Sequence, residues 1–267
     1  MNIFQAIILG IIQGLTEFLP VSSSGHVEIG SALFGIQSKE NLLFLTIIHG
    51  GTSLSTIIVY KRDIGHIMSE LLTFKKSESL NFTLKILLST IPVLILGLFF
   101  TVQVEYFFGG KMTILGLMLL VTSALLMFAH FEGNTYGKIS YPKALIIGFA
   151  QAIAVIPGIS RSGATISTSL LLGVEKEKAT RFSFMMVLIP ILGAMMLNVI
   201  SMVREPELSR GISFIALFGG FLASFFTGVI ACRWMIKVVK KGKLLYFAIY
   251  CMVIGLLAII ISFLNAG

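Results

Sequence analysis

Residues 18–26 read FLPVSSSGH. The stretch interrupts an N-terminal segment that is otherwise apolar enough for a membrane helix, and it does so with a proline, three serines, a glycine and a histidine. Proline lacks a backbone donor and disfavours helical conformation in the residue before it, so the helix must break here. Irregular backbone at membrane depth is tolerated only where protein or a water-filled cavity surrounds it, because unsatisfied N–H and C=O groups in lipid cost several kcal/mol. The break therefore predicts the floor of a cavity.

The rest of the chain supplies the membrane setting. Of 267 residues, 56% are hydrophobic and 12% charged, and the mean hydropathy is +0.98; a soluble domain carries roughly 25% charged residues. Apolar stretches near 42–60, 84–104, 112–130, 182–203, 211–232 and 245–264 are each long enough, as helices, to cross a hydrocarbon core of about 30 Å. These predict an all-α polytopic protein, a single membrane domain over residues 1–267 with six transmembrane helices. No cleavable leader pattern precedes the first apolar segment, so Met1 reads as the mature start. Cys232 and Cys251 lie in apolar spans without disulfide or metal spacing and read as packing residues. The net charge of +8 resides in loops between spans, which excludes nucleic acid as its partner and points to membrane lipids.

Two 31-residue segments, 6–36 and 144–174, fall outside the six spans. At a constant offset of 138 they share Ala6/Ala144, Ile8/Ile146, Gly10/Gly148, Gln13/Gln151, Ser22/Ser160, Ser24/Ser162, Gly25/Gly163, Ser31/Ser169, Leu33/Leu171 and Gly35/Gly173. Because the matches include Gln, Ser and Gly, and Pro20 and Pro157 fall within one place of register, the pair reads as an internal repeat. Each copy has two halves of about 14 residues around a polar turn, too short to cross singly and suited to a re-entrant helical hairpin. Three full spans separate the hairpins, so the second enters from the opposite face. The expectation is an inverted-topology repeat whose turns meet near the midplane.

Orientation follows from the loop charges. Lys61, Arg62, Lys75, Lys76, Lys85, Lys138, Lys143, Lys176, Lys178, Arg181, Arg233, Lys237, Lys240, Lys241 and Lys243 fall on one face; Lys39, Lys111, Arg204 and Arg210 fall on the other. The basic face should be cytoplasmic, placing both termini and the mouth of the first hairpin outside. Arg161 belongs to neither face.

The polar residues of the two turns are the candidate chemistry. Gln13 and Glu17 stand four apart on one helical face. A membrane-embedded carboxylate costs about 2.5 to 3.5 kcal/mol on insertion scales, so Glu17 needs a polar cavity and a partner. Ser22, Ser23, Ser24, Gly25 and His26 would open the returning half-helix, where free N–H groups and the dipole favour an anion; His26 can serve as acid, base or nucleophile. The second turn, PGISRSGATIS at 157–167, repeats Ser160, Ser162 and Gly163, adds Thr165, and places Arg161 where the first copy has Ser23. A buried guanidinium needs an anion, either a phosphate or Glu17 from the other copy. Such a site would hold a phosphate group, with a divalent cation bound partly by Glu17. Gly10 and Gly14 read as a helix-packing pair. His49 opens a polar patch in the first full span, Glu28 has no assigned direction, and His66 and His130 read as interfacial.

QGLTEFLPVSSSGH and PGISRSGATIS, about 140 residues apart in a six-span chain, resemble the undecaprenyl-diphosphate phosphatase family associated with bacitracin resistance. The resemblance covers essentially the whole chain. It implies a hydrolase of a bacterial plasma membrane that converts undecaprenyl diphosphate to undecaprenyl phosphate and inorganic phosphate at the outer face, recycling the lipid carrier of cell-wall synthesis. The family's (E/Q)xxxE pair falls on Gln13 and Glu17; its serine-rich turn falls on Ser22, Ser23 and His26; its second motif falls on Ser160, Arg161 and Thr165. On that basis Arg161 and the two turns bind the diphosphate, and Glu17 positions Mg2+ or Ca2+. Ser23 is the nucleophile with His26 as its base, or His26 attacks directly. A homodimer is left open.

The main rival is a secondary transporter or lipid flippase, which can use the same inverted-repeat architecture. The other membrane lipid phosphatase class, with KxxxxxxRP, PSGH and SRxxxxxHxxxD, is excluded because no histidine follows Arg161 in the chain.

Overall fold

The computed structural model describes residues 1–36, 42–72, 77–100, 103, 111–132, 136–204 and 212–264. Lys39, Lys75, Lys76 and Arg210, and parts of the stretches at 84–104 and 211–232, lie outside the described residues. Within them the protein is helical, with α1 (Ile3–Phe18), α2 (Ser23–Leu33), α3 (Leu42–Val59), α4 (Lys61–Leu72), α5 (Glu78–Phe99), α6 (Met112–Phe131), α7 (Tyr141–Ile153), α8 (Arg161–Leu171), α9 (Lys176–Met186), α10 (Leu188–Arg204), α11 (Phe214–Lys240) and α12 (Leu245–Leu264). Among the described residues five helical stretches are long and apolar enough to cross a membrane: α5, α6, α11, α12, and Lys176–Ser201 taken through its break. A sixth arises if α3 and α4, bent by 73°, form one span.

The boundaries differ from the hydropathy reading for local reasons. The stretch expected at 182–203 is two helices parted at Val187. Pro190 has no N–H to give the carbonyl of Met186, so the ladder is interrupted there. The segment expected at 211–232 starts at a Ser213 cap, whose side chain accepts from the N–H of Ala216, and runs on to Lys240. Lys237 and Lys240 in its last turn suit the negative end of the helix dipole, so the basic residues extend the helix past the apolar run instead of ending it. The bend after α3 falls where the apolar sequence gives way to Lys61, Arg62 and Asp63.

Packing is inside-out relative to a soluble protein. Leu98, Phe99, Ile260 and Phe263 are exposed, whereas Ser55, Ser89, Thr122, Ser169 and Ser224 are buried. Between membrane helices no water-driven force operates, so close approach of small residues and hydrogen bonds hold the bundle. α1 runs alongside α11 in the same direction, Gly10 facing Gly220 and Gly14 facing Ser224 and Gly228. A Cβ on Gly14 would stand 2.5 Å from the Ser224 carbonyl oxygen and 2.9 Å from the Gly228 nitrogen. That supports the packing reading of the Gly10–Gly14 pair. α7 lies along α5 in the same way: Tyr141 donates to Asn81 at 3.0 Å, and Gly148 faces Ser89.

At one end of the bundle the loop charges gather. Arg181 pairs with Asp63 at 2.6 Å, Lys240 with Glu177 at 2.8 Å, and Lys178 with Glu175. His66 pairs with Glu70 at 3.2 Å, and His130 Nδ1 meets the Gly242 carbonyl at 3.1 Å.

Candidate active site

α1 begins on a capping box between Asn2 and Gln5 and ends one residue after Glu17. Pro20 follows, and Leu19 is extended, as the residue before a proline should be. Ser22 then caps α2 with φ +69°, a left-handed conformation that costs a non-glycine residue about 1 to 3 kcal/mol and tends to persist at functional sites. In the later turn Ser160 caps α8. Gly158 there has φ +95°, and a Cβ on it would stand 2.6 Å from the Leu115 carbonyl oxygen, so only glycine fits.

The two turns share their capping bonds. Gly25 N–H donates to Ser22 Oγ at 3.4 Å and Gly163 N–H to Ser160 Oγ at 3.1 Å, while the Ser22/Ser24 and Ser160/Ser162 hydroxyl pairs both lie at 3.3 Å. At the offset found in sequence the two caps share these side-chain bonds, while their backbones differ: Ser22 has φ +69° and Ser160 φ −74°. Neighbours satisfy the irregular backbone. Ser162 Oγ donates to Leu19 O at 3.1 Å, Cys251 Sγ to Pro20 O at 3.5 Å, Thr122 Oγ1 to Gly158 O at 3.2 Å, and Ser160 N–H to Thr122 Oγ1 at 2.9 Å. The turns thus touch each other and lie within protein, as the cost of bare backbone groups requires.

Glu17 is where they converge. Arg161 forms an ion pair with its Oε1. Ser23 Oγ donates to its Oε2 at 2.7 Å and Gln13 Nε2 to the same oxygen at 2.8 Å. Ser23 and Arg161, aligned at the offset of 138, are the first residues of α2 and α8, so both helix N-termini approach one carboxylate. Helix geometry leaves the N–H groups of Ser23, Ser24, Arg161 and Ser162 unbonded within their own helices. The Glu17 side chain is 5% exposed and that of Arg161 27%. A buried ion pair is weak evidence for stability, since desolvation offsets its attraction. The pair is better explained by what it does.

One sequence expectation is corrected. His26 is not bonded to Ser23: its Nδ1 meets the Ser22 carbonyl at 2.8 Å and its Nε2 the Tyr250 hydroxyl at 2.8 Å, while the Ser23 proton is directed at Glu17. The imidazole at position 26 reaches back along α2 and outward to α12. Thr165 is buried and donates to the Arg161 carbonyl at 2.9 Å, close to Ser183 Oγ, so it supports the second turn from behind.

A small pocket adjoins the ion pair, lined by Glu17, Phe18, Thr52, Ser53, Thr56, Arg161, Ser162, Ser183, Phe184, Val187 and Ile191. Ser22, Ser23, Ser24 and His26 are not in this lining. The polar patch read after His49 does reach it, through Thr52, Ser53 and Thr56. His49 Nδ1 meets Leu45 O at 2.8 Å. Sequence reasoning missed Tyr250, Thr122 and Ser183. Each is a hydroxyl within an apolar helix, and that was the available signal. Buried Gln13 Oε1 and Ser53 Oγ have no hydrogen-bond partner among the described residues.

For a divalent cation the donors are oxygens: the Glu17 carboxylate and the unpartnered Gln13 Oε1. This hard-donor chemistry fits Mg2+ or Ca2+. Among the described residues no three His, Cys, Asp or Glu side chains gather as a metal cage, so such an ion would need substrate oxygens as well.

Residues 6–257 match the family model described as Bacitracin resistance protein BacA. A protein of Christiangramia forsetii named undecaprenyl-diphosphatase is 52% identical over 265 residues, covering 98% of this chain and 99% of the relative. Proteins of the same name from Parabacteroides distasonis and Bacteroides fragilis are 49% identical over 266 residues and 48% over 263, covering 99% and 98% of this chain and 100% and 99% of the relatives.

Proposed function

The chain belongs to the bacitracin resistance protein BacA family, and from that premise we propose that it is an integral membrane phosphatase that hydrolyses undecaprenyl diphosphate to undecaprenyl phosphate and inorganic phosphate. The observation that carries the chemistry is the convergence of Ser23 and Arg161, each opening a helix, on the two oxygens of Glu17. It brings an alcohol, a proton acceptor and a phosphate-binding cation to one point.

The terminal phosphate binds at the two helix N-termini, where backbone N–H groups and Arg161 oppose its charge. As the guanidinium engages phosphate, Glu17 takes the Ser23 proton. Ser23 Oγ forms a bond to the terminal phosphorus and the bridging P–O bond breaks, releasing undecaprenyl phosphate. Water then cleaves the phosphoserine, giving inorganic phosphate and restoring the hydroxyl. The fixed donors act on the charge that develops on the phosphoryl oxygens. A divalent cation, held by Glu17 and Gln13, would neutralise diphosphate charge.

The substrate is amphiphilic, and so is the cavity: Arg161, Glu17 and the hydroxyls at one side, Phe18, Phe184, Val187 and Ile191 at the other. The reading places the headgroup at the ion pair and the first prenyl units along the apolar wall. α1/α2 and α7/α8 are taken as re-entrant hairpins of an inverted repeat among six spans, with both termini and the site toward the outside of a bacterial plasma membrane. The relatives' shared name denotes hydrolysis, which disfavours the transporter reading.

Phosphate release from undecaprenyl diphosphate by purified protein in detergent tests this. Glu17→Ala and Arg161→Ala should abolish it; full turnover in either variant would refute the site.

A further inference from the structure

We propose that Tyr250 is a positioning residue for His26: it holds the imidazole as the tautomer with a proton on Nδ1 and a basic Nε2. The inference rests on the phosphatase reading for its kinetic consequence and on geometry for the pairing itself.

The geometry leaves little freedom. His26 Nδ1 lies 2.8 Å from the Ser22 carbonyl oxygen, and a carbonyl can only accept, so Nδ1 carries the proton. In the neutral ring the lone pair is then on Nε2, 2.8 Å from the Tyr250 hydroxyl, which donates to it. The two rings lie nearly parallel, 15° apart, with centroids at 5.5 Å, so the phenol fixes the ring plane as well as the proton.

Tyr250 is itself held. Its neighbour Cys251 donates to Pro20 O at 3.5 Å, and Ser123 on α6 donates to Ala248 O at 2.7 Å. α12 is thereby tied to the first turn and to α6 on either side of the tyrosine. An orienting partner that sets which histidine nitrogen is basic is the arrangement a general base requires.

The consequence concerns the second half of the reaction. Ser23 has its own acceptor in Glu17, so His26 Nε2 is available to a water molecule that displaces the Tyr250 hydroxyl. That water gives its proton to Nε2 and its oxygen to the phosphoserine phosphorus as the Ser23 O–P bond breaks, and Glu17 returns to Ser23 Oγ the proton it took in the first step. Tyr250 keeps Nε2 directed and unprotonated until then.

The test is Tyr250→Phe, which keeps the ring and removes the hydroxyl. The expected result is a folded protein with unchanged KM, kcat lowered about 3- to 10-fold, the effect of losing one positioning hydrogen bond, and a shifted His26 Nε2 resonance in 15N NMR spectra. In the unsubstituted protein His26 should show an unprotonated, hydrogen-bonded Nε2. A folded variant with full kcat, or one with lowered kcat and unmoved His26 resonances, would overturn the proposal. Should the variant fail to fold, a protonated Nε2 with a bare Nδ1 in the unsubstituted protein would overturn it equally. Absence of phosphate release from the unsubstituted protein would refute the phosphatase reading instead, leaving the NMR result to judge the pair.

Discussion

Ser23 and Glu17 share a hydrogen bond of 2.7 Å across the Pro20 break, from Ser23 Oγ to Glu17 Oε2. The serine opens one helix and the glutamate closes the one before it, so the turn itself sets their distance. Glu17→Gln keeps an oxygen that can accept from Ser23 but removes the group that takes its proton. The variant should lose about 10²- to 10⁴-fold in kcat, read by phosphate release, and lose less melting temperature than Arg161→Ala, because the charge it leaves unpaired, Arg161, is 27% exposed whereas Glu17 is 5% exposed.

Arg161→Ala removes the counter-ion of a nearly buried carboxylate. Breaking such a pair from one side costs about 3 to 5 kcal/mol, so its melting temperature should fall as well as its activity. Adding Glu17→Gln to it should recover most of the lost stability and none of the activity. Thermal denaturation together with the phosphate assay separates the two.

Gly14→Ala would push a methyl group toward the Ser224 carbonyl oxygen and Gly228 nitrogen of α11. Overpacking of this kind costs about 1 to 3 kcal/mol, and because α1 carries Gln13 and Glu17 the displacement should also lower kcat. A Cβ at Gly65 on α4 would meet nothing within 4 Å. Gly65→Ala should leave melting temperature and activity unchanged, making the comparison specific to the helix contact.

The proposed orientation predicts labelling by a membrane-impermeant thiol reagent. With Cys232 and Cys251 buried, a cysteine at Lys111 should react in intact cells. One at Lys178 should react only after the membrane is opened. The reverse pattern would invert the topology.

Chelation of divalent ions should lower phosphate release, and added Mg2+ or Ca2+ should restore it. Gln13→Leu, which removes the unpartnered amide oxygen, should raise the ion concentration needed for half-maximal activity. Activity indifferent to chelation would remove the cation from the account.

Much of this was legible in the chain because membrane chemistry makes polar residues conspicuous. Glu17 and Arg161 stand out against apolar surroundings, and the Ser22/Ser160 register located both helix caps before any coordinates. What escaped depended on local ladder geometry or on distant contact. The break at Val187 comes from Pro190 acting one turn back, within a run whose hydropathy is continuous. The partner of the Ser23 hydroxyl was not legible: the expected base was His26, whereas the hydroxyl meets Glu17 and α2 turns the imidazole toward Tyr250, 224 residues away. Thr122 and Ser183 carried only a weak signal for a related reason: a hydroxyl in a membrane helix commonly bonds its own backbone, and only packing shows which ones reach a turn.

The central claim is that Ser23, relieved of its proton by Glu17, makes the bond to phosphorus. Rapid quenching of the enzyme during turnover of undecaprenyl diphosphate labelled in its terminal phosphate, followed by peptide mapping, tests it most directly. The predicted result is an acid-stable phosphoserine at Ser23, absent from Ser23→Ala and slow to form in Glu17→Gln. Label on His26, or no trapped species with solvent oxygen incorporated in a single displacement, would contradict it.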